Sequence, residues 1–127
     1  MQQPDRQRAE RLVRLALEVV LAQQANAVEV RMEGEQAWFR EPGERFARFG
    51  SWVIAVDEDE PEPDDAQLAR LVDDLADGFA ESRKLWGRQL PECPVHPDSH
   101  ALEVLMRPEV VELRCPELTQ VVRTVKR

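Results

Sequence analysis

The spacing of hydrophobic and polar residues along this chain predicts two amphipathic helices. The first begins near Pro4 and Asp5, and the second begins at Asp64, which forms a capping-box-like pair with Gln67. In both segments, apolar residues recur every three to four positions and so share one face of a helix. We expect Gly87 to end the second helix. The two apolar stripes are Ala9, Leu12, Val13, Ala16, Leu17, Val19 and Val20, and Leu68, Leu71, Val72, Leu75, Phe79 and Trp86.

The other regular pattern is a set of short apolar segments, mostly alternating with polar residues, which is typical of strands. The predicted strands are 28–33, 36–40, 51–56, 101–106 and 110–115. This order of elements favours an α+β domain, in which two amphipathic helices pack on one face of an antiparallel sheet. At 127 residues the chain has the length of a single domain, 1–127, and we expect residues 91–118 to form a hairpin within it.

The candidate chemistry is concentrated near the C-terminus, where all cysteines and histidines of the chain lie. They follow the spacing C-x2-H-x3-H-x14-C, formed by Cys93, His96, His100 and Cys115. Thiolate and neutral imidazole are the ligands that zinc prefers, and four of them complete a tetrahedral structural site. Pro94 favours a tight turn after the first cysteine, and the predicted hairpin returns the second cysteine to its side. The sequence therefore predicts a structural zinc site.

Several alternatives remain open for this segment. Asp98 or Glu117 is a possible oxygen ligand in place of His100, and three protein ligands plus water would form an open site of the catalytic type. A disulfide between Cys93 and Cys115 is a further alternative, as are two ordinary thiols beside two surface histidines.

The run from Leu85 to His96, followed after a short hairpin by Cys115-Pro116, resembles the tail of small uncharacterised proteins from high-GC bacteria. Those proteins carry a helix that ends in Trp, a C-P-x-H turn and a returning Cys-Pro. The resemblance covers about the last third of the chain. It implies a zinc knuckle and no known activity, and it leaves the fourth ligand undefined.

A second candidate site is the segment 40–51, which interleaves arginines with aromatic residues. This combination is common in protein interfaces. The alternative is that the aromatic rings cover the core while the arginines stay solvated. The residues that we predict to bind a protein partner are Trp38, Phe46, Arg48, Phe49 and Trp52.

Charge and composition narrow the choice of partner and compartment. The net charge is -8, and residues 41–100 carry fifteen acidic against six basic side chains, which disfavours binding to nucleic acid. The sequence shows no apolar run long enough for a membrane span and no secretory signal, so we expect a cytoplasmic protein. A reducing compartment favours a metal over a disulfide.

Taken together, these features favour a non-catalytic protein-interaction or adaptor module with a structural zinc site. The chain has no tyrosine, no glycine-rich phosphate loop and no H-E-x-x-H motif. A first alternative is a small zinc-dependent enzyme or a metal or redox sensor, with His100 or Glu117 as the base. The order of elements is also similar to that of type III secretion chaperones, so a second alternative is a binder of that type without metal.

Overall fold

The structure is a computed structural model, and it describes residues 3–33, 36–47 and 64–127. Two α-helices and five strands form the described part, and a short 3-10 helix, Ala22–Ala27, follows the first α-helix. The predicted strand 51–56 lies outside the described residues. The elements are α1 (Gln3–Leu21), β1 (Glu29–Glu33), β2 (Gln36–Arg40), α2 (Asp64–Ala80), β3 (Glu103–Met106), β4 (Val110–Cys115) and β5 (Gln120–Lys126).

Helix α1 buries every residue of its predicted apolar stripe, so the 3.6-residue period identified the inward face correctly. This face packs against α2 and also touches β1 and β5. The helix ends after Leu21, where Ala22 adopts a left-handed conformation with φ of 54°. Two of its last carbonyl oxygens, those of Glu18 and Val19, accept hydrogen bonds from the guanidinium of Arg123 in β5.

Helix α2 begins at Asp64 as predicted but ends at Ala80, earlier than Gly87. The chain then turns. The N–H of Ser82 donates a hydrogen bond to the carbonyl of Phe79, and the hydroxyl oxygen of Ser82 accepts a hydrogen bond from the N–H of Leu85. Trp86 is therefore not part of the apolar seam, and it is 75% exposed. Our extension of the helix to Gly87 was wrong, since local turn bonds replaced the helical ones. The other predicted seam residues are buried: Leu68, Leu71, Val72, Leu75 and Phe79.

The described strands form two antiparallel sheets, whereas we predicted one. β1 pairs with β2, so that Val30 lies opposite Phe39 and Met32 opposite Ala37. The second sheet has the order β3-β4-β5. We did not predict β5, because its apolar residues do not alternate cleanly with polar ones. In the structure, only Val125 of this strand is buried. The α+β class is confirmed.

The hydrophobic core is shared by both helices and both sheets. The rings of Phe39 in β2 and Phe79 in α2 meet edge to face, with centroids 5.9 Å apart. α2 also contacts β3, which places the second sheet beside the helices. In the described part of the chain, no helix combines the length and the apolar character that crossing a membrane requires.

Candidate metal centre

The four residues Cys93, His96, His100 and Cys115, here called the Cys/His cluster, come together between the 93–100 loop and the end of β4. Cys115 is the last residue of β4. The loop is anchored at both ends: Glu92 pairs with Ala101, and the N–H of Leu102 donates to the carbonyl of Pro91. Both cysteines are fully buried, whereas both histidines are only partly buried. The cluster therefore lies at the edge of the core, with its sulfur side inward.

The Cys-Pro-Val-His turn stabilises a thiolate. Burial raises the pKa of the Cys93 thiol, but the backbone N–H groups of His96 and Val95 and the two imidazole rings together lower it more, from the ordinary 9.0 to about 6. The N–H groups of the turn point back at the sulfur because the chain reverses after Pro94, which itself has no N–H. A thiolate is the form that binds metal.

The distances within the Cys/His cluster match a single tetrahedral ion. The Cys115 Sγ lies 3.5 Å from His96 Nδ1 and 3.5 Å from His100 Nε2, and the Cys93 Sγ lies 3.9 Å from His96 Nδ1. Zinc bond lengths of ~2.3 Å to sulfur and ~2.05 Å to nitrogen place tetrahedral S and N ligands about 3.6 Å apart. One ligand atom from each of the four residues lies within 4.8 Å of the other three. The four residues are thus close enough to bind one metal ion.

The structure also bears on the alternatives for this segment. Both cysteines are free thiols, so the chain does not contain the disulfide that we considered. Neither Asp98 nor Glu117 belongs to the group of converging ligand atoms. Within residues 3–33, 36–47 and 64–127 no other set of three or more Cys, His, Asp or Glu side chains converges in this way.

Glu117 occupies a different position from the one that we considered. Its carboxylate lies on the outer side of the two imidazole rings, 3.2 Å from His96 Nε2 and 3.6 Å from His100 Nδ1. The sequence contains a signal for this contact that we did not use: Glu117 follows Cys115 by two residues and shares its turn. A side chain so close to one ligand can reach the neighbouring ligands.

The predicted partner-binding residues are only partly within the described chain. Phe46 is partly buried, and the guanidinium carbons of Arg31 and Arg40 lie over its ring, 4.5 and 4.7 Å from the ring centroid. Trp38 is partly buried in β2. A groove of about 660 Å³ lies beside Phe46 and is also lined by Phe39. The remaining predicted residues, Arg48, Phe49 and Trp52, lie outside the described residues.

We compared the chain with known protein families, curated proteins and solved structures. No family model matches the chain, and neither a curated protein nor a solved structure is significantly similar to it.

Proposed function

We propose that this chain is a non-catalytic protein-interaction or adaptor module with a structural zinc ion bound by the Cys/His cluster. The observation that carries the proposal is the convergence of four ligand atoms, one from each side chain, within 4.8 Å. Two thiolates and two imidazoles suit zinc, because hard cations such as magnesium and calcium prefer oxygen ligands. Two buried free thiols also suit the reducing environment of the cytoplasm, where we expect the protein to act.

A structural role is favoured over a catalytic one by the number and placement of the ligands. Four protein ligands complete a tetrahedron, whereas a catalytic zinc keeps one position for water or substrate. Glu117, a candidate base in the enzyme alternative, instead faces the outer nitrogens of His96 and His100. A base would have to face a metal-bound water on the inner side of those rings.

The interaction part of the proposal is supported by the surface around Phe46. The groove beside this ring is lined by Phe46 and by charged side chains such as Glu44 and Arg45, while the other two phenylalanines of its lining, Phe39 and Phe79, are buried. Aromatic residues and arginine are enriched at protein interfaces, and Arg31 and Arg40 flank the ring of Phe46. The net charge of -8 favours a partner with a basic surface.

Metal analysis of the purified protein tests the zinc site. We expect one zinc per chain in the wild type and loss of stoichiometric zinc in Cys93→Ser and Cys115→Ser. Asp98→Asn is the matched control, because this exposed carboxylate lies in the same loop but outside the cluster. A wild-type protein that takes up neither zinc nor cobalt after reconstitution would refute the site. A cobalt spectrum showing three protein ligands plus water would favour the enzyme alternative.

Affinity capture from the host tests the interaction role. We expect a specific protein to be retained by the wild type and by Val121→Ala but lost with Phe46→Ala. Val121 is the control because it is an apolar side chain that is 44% exposed on β5. A partner that binds the Phe46→Ala variant equally well would exclude the Phe46 groove as the interface.

A further inference from the structure

The two histidines of the Cys/His cluster present opposite ring nitrogens to the sulfurs. His96 directs Nδ1 toward both sulfur atoms, at 3.5 Å from Cys115 Sγ and 3.9 Å from Cys93 Sγ. His100 directs Nε2 toward the Cys115 Sγ, also at 3.5 Å. The rings are tilted by 54° with centroids 5.0 Å apart. Their outer nitrogens, His96 Nε2 and His100 Nδ1, therefore point to a common region away from the sulfurs.

Glu117 fills that region with one carboxylate oxygen for each ring. Its Oε2 lies 3.2 Å from His96 Nε2, and its Oε1 lies 3.6 Å from His100 Nδ1. A carboxylate only accepts hydrogen bonds, so a ring nitrogen that bonds to it carries the hydrogen. In a neutral imidazole the other nitrogen then has the free lone pair, and in both rings that nitrogen faces the sulfurs.

We propose that Glu117 is a positioning residue for the zinc site, where its carboxylate holds both histidines in the ring orientation and tautomer that bind the ion. The inference rests on the proposed zinc site and deepens it. Metal-binding histidines commonly donate their second ring N–H to a carboxylate, which orients the ring and strengthens the ligand. Here a single carboxylate faces two histidines, at 3.2 Å from Nε2 of His96 and 3.6 Å from Nδ1 of His100.

The position of Glu117 in the chain supports this role. It lies in the turn between β4 and β5, two residues after Cys115, so one short segment supplies a ligand at the end of β4 and the group that orients two others. In this turn the hydroxyl of Thr119 donates to the carbonyl of Leu118 at 2.7 Å. The competing explanation is an ordinary surface contact, since the side chain of Glu117 is 57% exposed.

The affinity for zinc, measured by competition with a chromophoric chelator, separates the two explanations. For Glu117→Ala we expect one zinc per chain as in the wild type, but an affinity about 10- to 100-fold weaker. The zinc affinity of Glu117→Gln is expected to lie between those of the wild type and Glu117→Ala. Its amide oxygen can accept a hydrogen bond from one histidine, while its amide nitrogen cannot accept one from the other. Glu109→Gln is the control, since Glu109 is an exposed carboxylate in the opposite turn of the same sheet.

Nitrogen NMR of the metal-free protein provides a readout that a surface contact would not change, because in the loaded protein zinc itself fixes the tautomer of a bound histidine. In the metal-free wild type we expect hydrogen on His96 Nε2 and on His100 Nδ1, and in the alanine variant we expect mixed tautomers while its far-ultraviolet circular dichroism stays native. Wild-type affinity and unchanged ring spectra in Glu117→Ala would overturn the positioning role and leave the zinc site intact. A wild-type protein that binds no zinc would overturn both proposals.

Discussion

Two regions of this molecule are held together in different ways. The first, here called the helical core, consists of α1, α2 and the β1-β2 sheet, and its apolar stripes are almost completely buried. The second, here called the C-terminal sheet, consists of β3, β4 and β5 with the Cys/His cluster. Strand β4 buries Val111, Leu113 and Cys115, but β3 has no buried residue and β5 buries only Val125. The helical core thus depends on apolar burial in most of its elements, while the C-terminal sheet depends on it mainly in β4.

The difference shows where a metal ion has the most to contribute. Segments shorter than about 40 residues usually need disulfides or metals to be stable, and residues 91–127 form a segment of that size. The two buried cysteines replace apolar side chains at the end of β4 and in the facing loop. Zinc would therefore join the 93–100 loop to the end of β4, and we expect the helices not to require it.

The largest expected effect is the response of the two regions to metal removal. Chelation should speed amide hydrogen exchange in residues 91–118 by up to about a thousandfold, because zinc at ~1,000 times its dissociation constant stabilises the bound state by ~4 kcal/mol. Helix α1 should keep its protection and the helical circular dichroism signal should remain. Global loss of helicity on chelation would show that the two regions fold as one unit. Trp86 is a poor fluorescence reporter, since it is already 75% exposed.

A truncation in the helical core should have the converse effect. Leu68→Ala should lower the free energy of unfolding by about 3 kcal/mol, because Leu68 is completely buried in α2 and its removal leaves a cavity. Zinc content should remain one per chain in the folded protein. Val121→Ala, at an exposed apolar position, should change stability by less than about 0.5 kcal/mol and serves as the control. Denaturation followed by fluorescence measures both variants, and loss of zinc in folded Leu68→Ala would contradict the separation of the regions.

A smaller effect is expected at the contact that joins the regions. The guanidinium of Arg123 donates hydrogen bonds to the carbonyls of Glu18 at 3.0 Å and Val19 at 2.6 Å. β5 thus provides donors for two carbonyl oxygens at the C-terminal end of α1. Arg123→Gln should lower the free energy of unfolding by ~1 kcal/mol, since these charged hydrogen bonds are partly screened by solvent. Lys126→Gln, at an exposed site of the same strand, is the control. Equal stability of both variants would mean that Arg123 does not couple the regions.

The most local expected effect is the titration of one thiol in the metal-free protein. The ultraviolet absorbance of the Cys93 thiolate should appear with a midpoint near pH 6 in the folded chain and near 9.0 in the unfolded chain. Because folding lowers this pKa, the thiolate stabilises the fold fully above about pH 9, and this contribution is lost as the pH falls through about 6. Cys93→Ser should remove this transition. A midpoint near 9 in the folded protein would show that the turn does not stabilise the thiolate.

The sequence by itself determined the features that depend on local spacing. The 3.6-residue period identified the buried faces of α1 and α2, and the alternation in 110–115 identified β4. The isolation of all cysteines and histidines in one segment indicated which four residues would converge, because a hairpin returns its second strand beside the first. These patterns arise from backbone geometry, which is the same in every chain.

Only the tertiary structure decided the features that depend on contacts between distant segments. It separated the strands into two sheets, exposed Trp86 and paired Arg123 with the end of α1. It also placed Glu117 on the outer nitrogens of the histidines instead of among the ligand atoms. A carboxylate can bind either a metal or an imidazole N–H. Which of the two Glu117 contacts depends on distances of a few ångströms across the fold. These distances cannot be read from the spacing of residues in the sequence.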